Sequence, residues 1–115
     1  MYFDSQKRTQ KDFNTDLAEL NKESEKLDPR YNVILFDDNN HTYDYVIEML
    51  MNVFGHTRKS SYEMACEVDF LGRVTVYTGN KDTAEDKKDQ ILLYGPDWRL
   101  QRSTSSMKAL IELTN

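Results

Sequence analysis

The polar residues of this chain crowd most densely in the run Asp37-Asp38-Asn39-Asn40-His41, with Asp44 close behind. One chemistry for such a run is calcium binding, because Asp37, Asn39, His41 and Glu48 fall at positions 1, 3, 5 and 12 of a calcium loop. Thr42, however, stands where that loop requires glycine, and the residues from Tyr43 onward carry a helical stripe instead of a loop. A nucleophilic reading would pair Cys66 with His41 or His56. Cys66 lies on an apolar helical stripe, where a free thiol acts as a small buried hydrophobe. No glycine-rich phosphate loop, nucleophile elbow or zincin pair is present, so neither an enzyme nor a cofactor or metal is expected. What remains is a pair of carboxylates, Asp37 and Asp38, where a strand hands over to a helix. Acids there satisfy the helix N-terminus, or they form a site for a cation. Asp69 is a third, unusual carboxylate, on the side of a helix that also bears Tyr62, Ala65 and Cys66.

Those side chains need elements to hold them. Tyr31–Phe36 is β-rich, almost continuously apolar and stopped by the polar run after it, which predicts a buried strand. Thr42 can cap a helix whose stripe of Tyr45, Val46, Met49, Leu50, Val53 and Phe54 ends at Gly55. Thr57 caps a second helix, with Tyr62, Met64, Ala65, Cys66 and Val68 inward and Gly72 at its end. Arg73–Thr78 alternates as a half-exposed strand does, and Gly79-Asn80 supplies a turn. A third helix is expected to begin near Asp82 or Thr83, to present Ala84, the stem of Lys88, Ile91 and Leu92, and to stop at Tyr94-Gly95-Pro96. After a loop running through Trp98 to Ser106, Met107–Leu113 reads as the last strand. The order β-α-α-β-α-β predicts a small α+β domain, a three-stranded antiparallel sheet with helices packed on one face.

At 115 residues a single domain is the expectation. Residues 1–29 hold 12 charged side chains and few apolar ones, which predicts a flexible polar arm with a frayed helix over Thr15–Leu27; the core domain then occupies 30–115. Fifteen Lys and Arg against 20 Asp and Glu give a net charge of −5, which argues against nucleic acid and towards cationic partners. A lone cysteine forms no internal disulfide and suits a reducing, cytoplasmic compartment. No run approaches the roughly 18 apolar residues of a membrane span, and the opening MYFDSQKRTQKDF lacks the apolar run of a signal peptide.

Taken in order, Tyr31-Asn-Val-Ile-Leu-Phe-Asp-Asp38, Tyr45-Val-Ile-Glu-Met-Leu50, Phe54-Gly55, Glu67-Val68 to Gly72 and Thr83-Ala-Glu-Asp-Lys87 resemble the ClpS family, adaptors of ATP-dependent Clp proteases. The resemblance spans about residues 30 to 113 and is in register until the loop after Tyr94. It implies the same strand, two helices, strand, helix, strand fold and a flexible N-terminal arm. It also implies a function: recognising substrates that begin with a bulky hydrophobic residue, the N-degron, and delivering them to a Clp unfoldase. By the resemblance, Asp37 and Asp38 stand where an Asn-Asp pair holds the free α-amino group, and Asp69 where a histidine joins them. Tyr43 takes the place of a gating methionine and Ala65 that of a pocket methionine. Val46, Val68 and Met107 line the pocket, and Asn39 and His41 lie at its rim. Glu85, Lys87 and Asp82 match positions that dock on the unfoldase's N-terminal domain; read without the resemblance, they are the solvated face of a helix. A monomer is expected.

An ammonium beside an apolar side chain calls for carboxylates at the mouth of an apolar pocket. Burial of one Leu or Phe side chain contributes about 1.5 to 3 kcal/mol and each charge-assisted hydrogen bond about as much, which after association costs suggests micromolar binding. Three clustered carboxylates repel one another when the pocket is empty, so pH-dependent affinity is expected. The departures at Asp37, Asp69, Tyr43 and Ala65 support an alternative, a ClpS-like regulator that docks on the unfoldase without reading N-degrons.

Overall fold

The computed structural model describes residues 29–114; all but the last residue of the arm expected over 1–29, and the helix expected over Thr15–Leu27, lie outside the described residues. In chain order the elements are β1 (Tyr31–Phe36), α1 (Tyr43–Phe54), α2 (Arg58–Leu71), β2 (Arg73–Gly79), α3 (Lys81–Leu92) and β3 (Ala109–Leu113). β1 is the central strand, antiparallel to β2 on one side and to β3 on the other. The expected α+β architecture is therefore the observed one.

Both edges of β1 are paired, and the middle of its apolar run, Val33, Ile34 and Leu35, is buried. Val33 and Leu35 point into the main core with Val74 and Val76 of β2, against Met49 and Leu50 of α1, Ala65 and Val68 of α2, and Ala84 and Ile91 of α3. Each fully buried aliphatic side chain contributes roughly 1.5 to 3 kcal/mol. On the opposite face Ile34 is only 2% exposed. Arg73 of β2 and Glu112 of β3 form an ion pair at 2.9 Å that bridges over β1 on that side, and the Arg73 guanidinium also lies over the Phe36 ring. A bulge between Val33 and Ile34 makes Val76 the extra residue of β2, and Tyr77 beside it packs on the core and stacks with Phe54.

Each of the three described helices begins at a side-chain cap. Thr42 Oγ1 accepts from the Tyr45 N–H, Thr57 Oγ1 from the Ser60 N–H, and Asn80 Oδ1 from the Thr83 N–H. The third cap corrects one boundary: α3 starts at Lys81, because Asn80 serves as cap and not only as turn. A second correction concerns the last strand, which starts at Ala109 and not at Met107. Lys108 still gives its carbonyl to the Phe36 N–H, whereas Met107 turns inward and is 2% exposed. Gly72 ends α2 at φ 85°, a left-handed conformation that glycine adopts without strain.

Candidate functional site

β1 ends at the two carboxylates, and the backbone beyond it is fixed from two directions. The Asp37 N–H donates to the Gly72 carbonyl at 3.0 Å, which sets the exit of β1 against the end of α2, where Asp69 sits. Asp38 Oδ1 accepts from the Asn40 N–H at 2.9 Å and pairs with His41 Nδ1 at 2.7 Å. The imidazole is buried, and its other nitrogen, Nε2, meets the Ser105 carbonyl at 2.8 Å. Both ring nitrogens face oxygen, so both bonds form together when the ring carries two protons. His41 thus orients Asp38 and joins it to the loop before β3.

That loop has no local sequence signal, yet it holds the start of α1. Asp97 is fully buried; its Oδ2 accepts from both the N–H and the hydroxyl of Thr42 at 2.7 Å, and its Oδ1 accepts from the N–H and guanidinium of Arg99. Burial by itself raises the pKa of this carboxyl, but the Thr42 and Arg99 hydrogen bonds outweigh it and hold the group at about 2. Arg99 also reaches Glu48 at 2.7 Å, and the Tyr45 hydroxyl donates to the Gly95 carbonyl. Burial first of all pushes that hydroxyl up to about 12.

Between the β1 exit, the start of α1, the end of α2 and this loop lies a cavity of about 190 Å³. A cavity of roughly 150 Å³ admits a benzene ring, so this one has room for an aromatic or leucine side chain. Asp37, Asp38, Asn39, His41, Tyr43, Val46, Ala65, Val68, Asp69 and Met107 all line it, the whole set singled out in the sequence, together with Thr42 and Arg102. Val46, Ala65, Val68 and Met107 are buried and form its apolar inner end, whereas Asp37, Asn39, Tyr43 and Asp69 are exposed at the mouth. Asp37 has a raised pKa, from partial burial first and from the charge of Asp69 next, opposed by a hydrogen bond from the Asp38 backbone. Across the mouth the Tyr43 hydroxyl donates to Asp69 Oδ2 at 2.6 Å. That bond, with burial behind it, drives the Tyr43 pKa well above the ordinary phenol range.

Other candidates of the sequence resolve differently. Cys66 is half-buried, and both histidines are bonded elsewhere, His41 as above and His56 to the Val76 carbonyl. Glu48, the last position of a calcium loop, lies in α1 and pairs with Arg99. On α3, Asp82 is exposed and Glu85 pairs with Lys88 at 2.9 Å. Lys87 turns back to donate to the Val53 carbonyl at 2.8 Å, with its ammonium over the Phe54 ring. No residue of α3 lines the cavity. The site residues missed from the sequence are Thr42 as a wall and Arg102, whose Nε–H donates to the Asn39 carbonyl.

A three-stranded sheet backed by helices, with an apolar pocket rimmed by carboxylates, defines a small α+β binding module. Comparison with known proteins gives the family: residues 26–95 match the sequence profile of the ATP-dependent Clp protease adaptor protein ClpS. A curated relative, the ATP-dependent Clp protease adapter protein ClpS of Vibrio atlanticus, is 31% identical over 80 residues, 68% of this chain and 76% of its own length. Among solved structures, Agrobacterium tumefaciens ClpS2 bound to L-phenylalaninamide superposes with a TM-score of 0.65 at 19% identity, covering 75% of this chain and 98% of that one. The chain belongs to the ClpS family of Clp protease adaptors. It is an adaptor protein and not an enzyme. Among the described residues no helix is long and apolar enough to cross a membrane.

Proposed function

We propose that this adaptor seats a bulky hydrophobic N-terminal residue in the cavity and delivers its bearer to a Clp unfoldase for proteolysis. One observation carries this reading: three carboxylates, Asp37, Asp38 and Asp69, stand at the mouth of a cavity whose inner end is Val46, Ala65, Val68 and Met107. The first side chain of the substrate fills the apolar end, and its α-ammonium takes hydrogen bonds and charge from the carboxylates. The match to a relative's fold seen with L-phenylalaninamide agrees with a ligand of that chemistry. Ala65 leaves the space that a larger residue would fill, which suits aromatic first residues. The polar arm, residues 1–29, serves delivery. The charges of α3, exposed Asp82 with the half-buried Glu85 and Lys87, form the surface that docks on the unfoldase's N-terminal domain, next to a depression of about 480 Å³ lined by Pro29, Tyr31, Asn80, Lys81, Asp82 and Thr83.

Fluorescence anisotropy with labelled decapeptides beginning with Phe, Leu, Trp or Tyr, each beside its N-acetylated twin, tests the reading. Micromolar binding that acetylation abolishes is expected, since acetylation removes the charge that the carboxylates read. If no free N-terminus binds to folded protein, the reading fails. The chain would then be a regulator that docks on the unfoldase without reading N-degrons.

A further inference from the structure

One pocket residue has no task in the reading above. Arg102 comes from the loop between α3 and β3, is exposed, and lines the cavity with the three carboxylates. Its Nε–H donates to the Asn39 carbonyl at 2.7 Å, which spends one edge of the guanidinium and fixes its direction. Two other arginines spend Nη groups on carboxylates of the protein itself, Arg73 on Glu112 and Arg99 on Asp97 and Glu48. Among the described residues nothing accepts from the two Nη groups of Arg102, and that end-on edge is the fork that matches a carboxylate.

The route of a bound peptide brings it to that fork. Val46, Ala65, Val68 and Met107, each no more than 5% exposed, close the inner end of the cavity. A peptide whose first side chain points inward therefore leaves over the rim, where Arg102 is the one guanidinium among the described lining residues. The next side chain along the peptide is that of residue two. On the strength of the N-degron reading, we propose that Arg102 determines specificity at the second residue of the substrate, pairing end-on with the carboxylate of Asp or Glu. The preferred ligand is then a peptide with a free α-amino group, a bulky hydrophobic first residue and an acidic second one.

Charge works against this preference as well as for it, because Asp37, Asp38 and Asp69 repel an acidic residue. The ligand's ammonium offsets part of that charge, and His41 and Tyr43 already direct protons onto Asp38 and Asp69. A contact pair with Arg102 also acts over a shorter distance than repulsion from across the mouth. Without Arg102 the repulsion is unopposed, so the preference for an acidic second residue should be lost or reversed.

Competition anisotropy separates these terms. Decapeptides alike except for Phe-Ala, Phe-Glu or Phe-Lys at the start are compared on the full chain and on Arg102→Gln, with N-acetylated Phe-Ala as control. Phe-Glu is expected to bind about two- to fivefold tighter than Phe-Ala, the range of an exposed ion pair. In Arg102→Gln that ratio is expected to fall to one or below while Phe-Ala affinity stays within about twofold. Arg102→Glu, folded to the same melting temperature, should favour Phe-Lys. Equal or weaker binding of Phe-Glu to the unaltered protein, with amine-dependent binding of Phe-Ala retained, overturns the role of Arg102 and leaves the N-degron reading standing. A uniform loss for all three peptides in Arg102→Gln means that the residue merely supports the loop, and also overturns it. If no peptide binds through its free amine, both readings fall.

Discussion

Asp38 is the carboxylate most firmly held at the mouth, by the Asn40 N–H and by His41, so it meets an ammonium without further ordering. Asp38→Ala is expected to weaken peptide binding roughly tenfold or more, the worth of one charge-assisted hydrogen bond, while the protein stays folded. Anisotropy and circular dichroism on the same sample check both halves. Tyr43 should act in the opposite sense. Its hydroxyl occupies Asp69 Oδ2 in the free protein, so a ligand ammonium must displace it or share the carboxylate. Tyr43→Phe keeps the ring and frees Asp69, and a two- to tenfold gain in affinity for free N-termini is expected, about 1 kcal/mol for a solvent-exposed hydrogen bond. The pH profile follows from Asp37, whose pKa is raised above 3.8 by partial burial and then by the charge of Asp69. A group raised in the folded state takes up its proton at higher pH than an ordinary aspartate, and the ammonium favours the ionised form. Affinity should therefore fall, and proton release on binding should grow, as pH drops from neutral towards that raised value. Titrations across that range should show it, and Asp37→Asn should flatten the profile.

At the scale of elements, the start of α1 is held by a loop some fifty residues away in sequence. Asp97 takes both hydrogens of Thr42 and ties them to Arg99, and Arg99 continues to Glu48 in the middle of the same helix. The carboxyl is fully buried and its pKa is about 2 in the folded state against 3.8 in a free chain. A depressed folded pKa contributes stability that is present above the unfolded value and is lost as pH falls through the folded one. The contribution is about 2 kcal/mol, and it should disappear between roughly pH 4 and pH 2. Asp97→Asn should remove it at neutral pH and leave a flatter acid limb, as urea unfolding over that range would record. Because the same loop supplies Ser105 to His41 and Arg102 to the rim, Asp97→Asn should also weaken peptide binding.

For the whole molecule, no residue of α3 lines the cavity, so the proposed substrate site and the proposed docking surface do not overlap. Glu85→Ala should leave peptide affinity unchanged and weaken association with the unfoldase's N-terminal domain, measured by co-elution or interferometry. Lys87→Ala should do the same and also cost about 1 kcal/mol of stability, because its ammonium satisfies the Val53 carbonyl near the end of α1. The elements and their order are legible in short stretches of sequence. Helix caps at Thr42 and Thr57, the stripe of α1, the apolar run of β1 and the glycine stops are local signals, readable within a few residues. Asn80 is ambiguous in sequence, since turn and cap favour the same residue types. Order of motifs then placed ten pocket residues, because the family's spacing carries tertiary information that periodicity lacks. The long-range bonds of the site arise from packing alone. The bonds of Asp97 to Thr42, His41 to Ser105 and Arg102 to Asn39 join residues 55, 64 and 63 positions apart. Nothing in the local pattern of the loop after Tyr94 announces them, because each is set by where the ends of β1 and α1 come to rest on the folded core.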